Sequence, residues 1–367
     1  MEVKIRLKKL LAEHNLDEHG VIQRIAADLN VNRHTIAKLY NGRTATVSLD
    51  LLSRLCTWLQ NQGVGAEELP GELFSTGRTA LWEAIARQQE QVTLYLGEYR
   101  PTKPPFAASR WISTRDSAVA STIIQQLSTG TETRPLWPGL TFAYIPFRYA
   151  PGDPTVDRRL LEEDAARAGR IFARLKATPK PGTAIIVGSQ RVNYLLELFV
   201  ADLFGCPSFA TPSGEPAVPF FSVYREMDQH TPSCFGGPEN PFRATDKSTP
   251  GLHYIDERGK WATCQWAQDQ EDAGVVISVN DRRNRSVTLA LFGFSGLATR
   301  AVAEQLVLKE HLFWPPRIEL KDRETGVYIC KLAYTPSDPG DEWQEDTETR
   351  SCDVIALSEK TLRRFLH

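Results

Sequence analysis

The sequence predicts an α+β multidomain protein, with an all-helical N-terminal domain followed by an α/β body that contains a mostly parallel or mixed sheet. Three observations predict this fold class. Residues 1–64 show only helical periodicity, with apolar side chains three or four positions apart. Later in the chain, two apolar strands are each followed by a glycine-containing turn and a helix. The length of 367 residues suffices for two or three domains.

Composition limits the function classes. With 41% hydrophobic and 24% charged residues, the chain has an ordinary soluble composition. No run reaches the ~20 apolar residues of a membrane span, so we expect a cytoplasmic protein with no membrane partner. The six cysteines form no C-x-x-C pair, so we expect reduced thiols, no bound metal and no cofactor. A metal held by Cys206, Cys234 and Cys264 is the alternative, although their spacing lacks a zinc signature.

The first helices of the chain are predicted from periodicity and capping residues. Val3–His14 is amphipathic and forms helix one. The segment Gly20–Gly42 predicts two further helices joined by a tight turn. Asn30 stands at the turn position where φ is usually positive, and Asn32 is a good N-cap for the second of these helices. Ser48 caps a fourth helix, with its inward side predicted as Leu49, Leu52, Leu55, Cys56 and Leu59 and with Trp58 either in the core or at a dimer contact.

The exposed face of the helix after Asn32 is rich in hydrogen-bond donors and contains no acid, as a helix that enters the DNA major groove requires. Residues Met1 to Gln62 carry nine Lys and Arg against six Asp and Glu, a local charge of +3 that suits a DNA-binding head. We expect base-edge contacts from Asn32, Arg33, His34 and Lys38, and phosphate contacts from Thr35, Asn41, Arg43, Thr44 and Thr46.

The segment resembles the helix-turn-helix of the Cro/C1-type (XRE-like) repressor family in register. The positions that match are Ala26, Asn30, Val31, Asn32, Thr35, Ile36 and Gly42. Two positions depart from the family pattern: Ile22 stands where a phosphate-binding Gln is common, and Asn30 replaces the usual Gly. The resemblance implies double-stranded DNA as partner and a homodimer; an ordinary helical hairpin is the alternative. The C-terminal body resembles no family that we recognise.

We divide the chain into residues 1–64, 65–155 and 156–367. The middle region is predicted to be helical or irregular, with a connecting or dimerising helix over Leu73–Val92, a proline-rich break, a helix over Ala118–Leu127, and one strand between Trp137 and Pro154. The third region begins with an amphipathic helix over Asp157–Lys176.

The two strand–turn–helix units of the third region predict a ligand site. Their strands are Thr183–Val187 and Ser286–Phe292, and the turns after them lie where open α/β sheets bind ligands. A small molecule or nucleotide is the expected effector, held by Gly188, Ser189, Arg191, Asn193, Gly293, Ser295, Gly296 and Thr299. The alternative is that such turns need glycine for structural reasons. Neither turn is a Walker A or G-x-G-x-x-G motif.

The function predicted from these features is a sequence-specific transcriptional regulator, a repressor that acts as a dimer on an inverted-repeat operator. We expect no enzymatic activity. One alternative is a hydrolase or nucleotide-processing enzyme tethered to DNA, with Ser295 as nucleophile and partners among Asp322, His311 and His367. Another is a defence or assembly protein that the head recruits to DNA. The acid pairs Glu162-Glu163 and Glu271-Asp272 are interpreted as solvated charges.

Overall fold

The structure is a computed structural model that divides into two compact units, Met1–Ala80 and Leu81–His367. No described helix is both long and apolar enough to cross a membrane. The residues that the structure describes are 4–5, 7–13, 16, 20–41, 47–64, 74–75, 81–82, 85, 91–100, 110–129, 139–147, 158–177, 181–189, 191–224, 232–238, 241, 249–281, 283–314, 316, 318–320, 323–335 and 348–366.

The first unit is built from helices packed around one apolar core. Its elements in chain order are β1 (Lys4–Ile5), α1 (Leu7–Glu13), α2 (Val21–Asp28), α3 (Arg33–Tyr40), α4 (Leu49–Asn61) and β2 (Phe74–Ser75). Leu10, Ile25, Ile36 and Leu55 are all fully or almost fully buried in this core. The helical period of the sequence therefore predicts the class of this unit correctly.

Two details of the predicted helices are wrong. Helix one does not begin at Val3, because Lys4 and Ile5 form a strand that pairs antiparallel with Phe74–Ser75. In α4, Leu49 is 84% exposed, whereas Leu51 is buried. The side chains that face the core follow one stripe at Leu51, Leu55, Trp58 and Leu59, and Leu49 lies about 200° around the helix from Leu51.

Trp58 belongs to the core of the first unit. Its ring is almost fully buried, and its Nε1 donates a hydrogen bond to Asp28 Oδ2 at 2.8 Å. Nearby, Arg54 donates to the carbonyl oxygen of Leu29 at 2.9 Å, just after the end of α2. These two bonds connect α4 to the C-terminal end of α2, next to the turn that leads into α3.

The second unit contains a large mixed sheet covered by helices. Leu81, Trp82 and Ile85 are buried helical residues near its start. The elements that follow are β3 (Val92–Tyr99), α5 (Thr114–Thr129), β4 (Leu140–Phe147), α6 (Arg158–Ala177), β5 (Gly182–Val187), α7 (Tyr194–Phe204), β6 (Phe220–Val223), β7 (Gly236–Gly237), β8 (Gly251–Ile255), β9 (Trp261–Gln265), β10 (Glu271–Asp281), β11 (Ser286–Gly293), α8 (Gly296–Leu308), α9 (Glu310–Phe313), β12 (Ile318–Leu320), β13 (Arg323–Tyr334), β14 (Thr349–Ala356) and α10 (Glu359–Phe365).

The order of the main sheet is β12-β13-β10-β11-β5-β3-β4, with β14 also paired to β13. The pairs among β11, β5, β3 and β4 are parallel, and the other pairs are antiparallel. A smaller sheet has the order β7-β6-β8-β9. The mixed sheet predicted from the two strand–turn–helix units is confirmed, since their strands β5 and β11 are parallel neighbours.

Strand β3 is not predicted by the sequence, which indicates a helix over Leu73–Val92 followed by a proline-rich break. Val92–Tyr99 instead pairs with both β4 and β5, and every residue from Leu94 to Glu98 is buried. A parallel strand covered on both faces is a continuous buried run without alternation, so its sequence does not show the period of two.

Glycines allow two helices to begin close to the carboxyl ends of the parallel strands. A Cβ on Gly97 of β3 would lie 2.5 Å from the backbone oxygen of Val192, just before α7. A Cβ on Gly293 would overlap Thr299 and Ala298 of α8. Gly188 has a φ of +110°, which only glycine adopts without strain. The edge of the sheet and the helix starts therefore meet at one place.

Candidate functional site

The predicted recognition face lies on α3 in the first unit. Arg33, His34 and Lys38 are exposed, and Thr35 is half-buried. The helix contains no acidic residue, so the side chains that it presents are donors and cations. Such a face complements the acceptor groups of guanine and adenine in the major groove and the phosphates beside it.

The two asparagines at the ends of α3 use their side chains to hold the helix. Asn32 Oδ1 accepts a hydrogen bond from the His34 backbone N–H at 2.8 Å, as predicted for an N-cap. Asn41 is exposed, and its Nδ2 donates to the carbonyl oxygen of Ala37 at 2.8 Å. To contact a base, the Asn32 side chain would have to share or give up its hydrogen bond to the helix, and to contact a phosphate, the Asn41 side chain would have to do the same.

The turn between α2 and α3 has the geometry that the sequence predicts. Asn30 has a φ of +47°, and the Val31 backbone N–H donates to the carbonyl oxygen of Ala26 at 2.9 Å. Ala26 is buried where α2 meets α3, so a larger side chain would separate the two helices. Three of the predicted phosphate-contacting residues, Arg43, Thr44 and Thr46, lie outside the described residues.

Comparison with known families agrees with this geometry. Residues 6–63 match the family model of the Cro/C1-type HTH DNA-binding domain. The first unit contains a Cro/C1-type helix-turn-helix domain. In this domain, α2 and α3 form the helix-turn-helix, and α3 is its second helix. The chain matches no curated protein and no solved structure.

The second unit, outside the Cro/C1-type domain, has a cleft of about 760 Å³ at the carboxyl edge of its parallel strands. Six of the eight residues predicted to bind an effector line it, and they come from both predicted turns: Gly188, Ser189, Arg191, Ser295, Gly296 and Thr299. The volume is within the range of small-molecule sites. The two turns meet because β5 and β11 are adjacent and parallel.

The remaining two predicted effector residues lie outside the lining of the cleft. Asn193 is fully buried; its Nδ2 donates to the carbonyl oxygens of Val187 at 2.8 Å and Tyr95 at 3.1 Å. Its Oδ1 accepts from the Leu195 backbone N–H, which caps α7. The Gly293 backbone N–H donates to Thr299 Oγ1 at 3.0 Å. Both residues thus position the turns.

Ser295 is the N-cap of α8. Its Oγ accepts from the backbone N–H groups of Leu297 and Ala298, and it donates its own proton to Asp272 Oδ2. No histidine is among the described residues that line the cleft. Of the partners predicted for a nucleophilic Ser295, Asp322 and His367 lie outside the described residues, and His311 lies in α9. The basic group that the structure describes beside the Ser295 hydroxyl is thus the Asp272 carboxylate and not a histidine.

The interpretation of Asp272 as a solvated charge is wrong. Its side chain is 3% exposed, and its Oδ1 accepts from the Ala273 backbone N–H at 2.7 Å. Burial raises the pKa of Asp272 to about 6, although the hydrogen bond from Ser295 and the charge of Arg115 oppose this shift. The burial of Asp272 could not be predicted from the sequence, because it depends on the start of β10 lying next to Ser295 in the turn after β11.

Asp116, which no sequence pattern indicates as a site residue, also lines the cleft. It lies in the first turn of α5 and is 5% exposed, with its Oδ2 beside Gly188. Among the described residues, no side chain or backbone N–H makes a hydrogen bond or ion pair with its carboxylate. Burial alone raises the pKa of Asp116 to about 6.

Aromatic side chains supply most of the remaining cleft wall. Tyr224 and Phe294 stack with ring centroids 4.7 Å apart and planes 18° apart, and the Arg191 guanidinium lies over the Tyr224 ring at 5.1 Å. The rings of Trp266 and Phe294 also pack together, with their centroids 5.8 Å apart. A second pair, Tyr99 and Trp111, also borders the cleft. These rings come from segments far apart in sequence, so no local pattern predicts their convergence.

The charge of Asp116 gives a stability prediction. Its folded pKa is raised from 3.8 to about 6, so the folded state binds the proton more tightly than the unfolded state, and ionisation costs stability as pH rises through 6. We expect Asp116→Asn to raise the free energy of unfolding by about 1–3 kcal/mol at pH 7.5, and by about half as much at pH 5. Urea denaturation at both pH values measures this difference.

Asp202→Asn is the matched control for this prediction, because Asp202 is an exposed acid whose partner is Lys176. We expect its effect to stay within about 1 kcal/mol at either pH. A destabilised Asp116→Asn protein at pH 7.5 would contradict the prediction, since it would mean that the carboxylate makes a net favourable interaction in the folded state.

Proposed function

We propose that the chain is a sequence-specific transcriptional regulator, a repressor that binds an inverted-repeat operator as a homodimer. The observation that carries this proposal is the exposed α3 face with Arg33, His34 and Lys38, inside a recognised helix-turn-helix domain. In a two-fold dimer, the two α3 helices would enter successive major grooves about one DNA turn apart, which accounts for the inverted repeat.

We further propose that the second unit senses a small molecule in its cleft. Support comes from the cleft itself, which gathers residues from both strand–turn–helix units and includes a buried carboxylate. A ligand changes operator affinity only if it binds the free and the DNA-bound forms with different affinity. Ligand-dependent change in operator binding is therefore the decisive property of a sensor.

The experiment is a fluorescence anisotropy titration of the full chain against its own upstream DNA, with a random duplex of equal length beside it. We expect the upstream DNA to bind at least 10³-fold more tightly than the random duplex at physiological salt. The titration is repeated at a second salt concentration, because phosphate contacts weaken with salt on both duplexes alike. Equal affinity for the two duplexes would refute site-specific regulation and favour recruitment to DNA without operator recognition.

A DNA-tethered enzyme is the competing proposal. It is weakened by the hydrogen bonds of Ser295: its Oγ caps a helix, its hydroxyl donates to the Asp272 carboxylate, and no histidine is among the described residues that line the cleft. Turnover of ester or nucleotide substrates that disappears in Ser295→Ala would reverse this preference.

A further inference from the structure

The cleft of the second unit also indicates which chemical class of ligand it accepts, an inference that rests on the proposed sensing function. The starting point is Asp116, an acid 5% exposed whose carboxylate faces the cleft. A carboxylate has two acceptor oxygens, and burying them without donors is costly. Among the described residues none supplies such a donor, so a ligand that brings donors would relieve the cost.

The other buried acids near this edge differ from Asp116 in having partners. Asp272 accepts from the Ser295 hydroxyl and from a backbone N–H. Glu98 is paired with Arg100, whose Nε lies 2.6 Å from Glu98 Oε2. Glu197 accepts from the hydroxyl of Ser233 and from two backbone N–H groups. Of these four acids, Asp116 is the one without a described partner, and it is the one that lines the cleft.

The cleft wall favours a flat ligand rather than an aliphatic cation. Aromatic rings from several segments border it, and planar ring systems stack on such side chains. The Tyr224 ring already carries the Arg191 guanidinium on one face, so a protein cation occupies the position that a ligand ammonium would take. Arg191 would also repel a ligand of net positive charge. A ligand that has N–H donors but no net positive charge therefore suits this cleft better.

The starts of the two helices at the cleft are already capped by the protein. Asn193 and Ser295 accept from the first backbone N–H groups of α7 and α8. A phosphate bound directly on these helix ends would have to displace a cap. Arg191, which lines the cleft, remains the cation best placed to pair with an anionic substituent of a ligand.

We propose that the cleft binds a planar heterocycle with two adjacent N–H donors, the 2-amino-4-oxopyrimidine edge that guanine and pterins share. The two donors would bond to the two oxygens of the Asp116 carboxylate, and the ring would lie against the aromatic side chains. An anionic substituent on the heterocycle would pair with Arg191. Adenine offers an acceptor where guanine has its ring N–H, so the carboxylate disfavours it.

The test is isothermal titration calorimetry of the full chain with guanosine, inosine and adenosine monophosphates, and with pterin-6-carboxylate. Inosine monophosphate lacks only the 2-amino group, so it is the matched control ligand. We expect guanosine monophosphate or the pterin to bind at least tenfold more tightly than inosine monophosphate, and adenosine monophosphate to bind most weakly. If guanosine monophosphate binds more tightly than the pterin, the ligand is a guanine nucleotide; if the pterin binds more tightly, the ligand is a pterin.

The protein variants link this selectivity to the carboxylate. We expect Asp116→Asn to weaken binding of the preferred ligand at least tenfold, and Asp202→Asn, an acid outside the cleft, to leave it unchanged. Inosine monophosphate binding as tightly as both guanosine monophosphate and the pterin, binding of neither guanosine monophosphate nor the pterin, or full affinity in Asp116→Asn would each overturn the proposal.

The ligand proposal and the sensing proposal fail in different ways. If the preferred ligand binds through Asp116 but leaves operator affinity unchanged, the ligand class stands and the sensing function is refuted. If operator binding is specific but none of these ligands binds, the regulator stands and the ligand class is refuted. Adding each ligand to the anisotropy titration therefore separates the two.

Discussion

The double variant Arg33→Ala/Lys38→Ala is expected to lose operator affinity by about 2–6 kcal/mol, because each base-edge contact contributes about 1–3 kcal/mol. Both side chains are exposed on α3, and neither belongs to the core of the Cro/C1-type domain, so the fold should survive the change. Anisotropy titration on operator and random duplexes measures the loss. The loss should be much larger on the operator, since base contacts carry the sequence preference.

Lys8→Ala is the control for the effect of removing one positive charge. Lys8 is an exposed cation of α1 in the same unit, with its Nζ 5.6 Å from the centre of the Tyr40 ring. Removing it lowers the positive charge of the unit without touching the exposed face of α3, and we expect a smaller loss that is similar on both duplexes. Suppose instead that the double variant lost affinity equally on both duplexes, and by the same amount per removed charge as Lys8→Ala. The side chains of α3 would then attract phosphate but would not recognise bases.

Asn193→Ala is expected to destabilise the second unit by about 2–4 kcal/mol. The side chain is fully buried and makes three hydrogen bonds: two to carbonyl oxygens of β3 and β5, and one that caps α7. Alanine would remove all three and leave two buried carbonyl oxygens without this donor. Hydrogen exchange of the amides in β5 and α7 reports the change locally, so it does not depend on how the first unit unfolds.

Asn32→Ala provides a matched comparison, because Asn32 caps α3 through the same kind of bond, from the backbone N–H two residues later. Asn32 is exposed, so its loss should cost the first unit only about 1 kcal/mol. If the two substitutions had equal effects, the two bonds from Asn193 Nδ2 to the strands would contribute nothing to stability. The difference between the variants therefore isolates the link between strands and helix.

The helix-turn-helix could be predicted because its signals are local. The positive φ of Asn30, the N-caps Asn32 and Ser48, and the stripe that buries Ile36 and Leu39 each depend on a few consecutive residues. Even here, the prediction was wrong where a distant partner decides the structure. Lys4 and Ile5 form a strand because residues 74 and 75 pair with them, and no periodicity near residue 4 indicates this.

The two turns of the cleft were also predictable, because a strand, a glycine and a helix follow one another in the chain. The sequence by itself thus determined the DNA-binding head, the parallel pair of strands and most of the turn residues at their ends. Only the tertiary structure decided what surrounds those turns. Strand β3 pairs with β4 and β5. Asp116 and Asp272 are buried where α5 packs against α8 and where β10 pairs with β11. Burial and pKa depend on which distant segments pack together, and a local pattern carries no information about that.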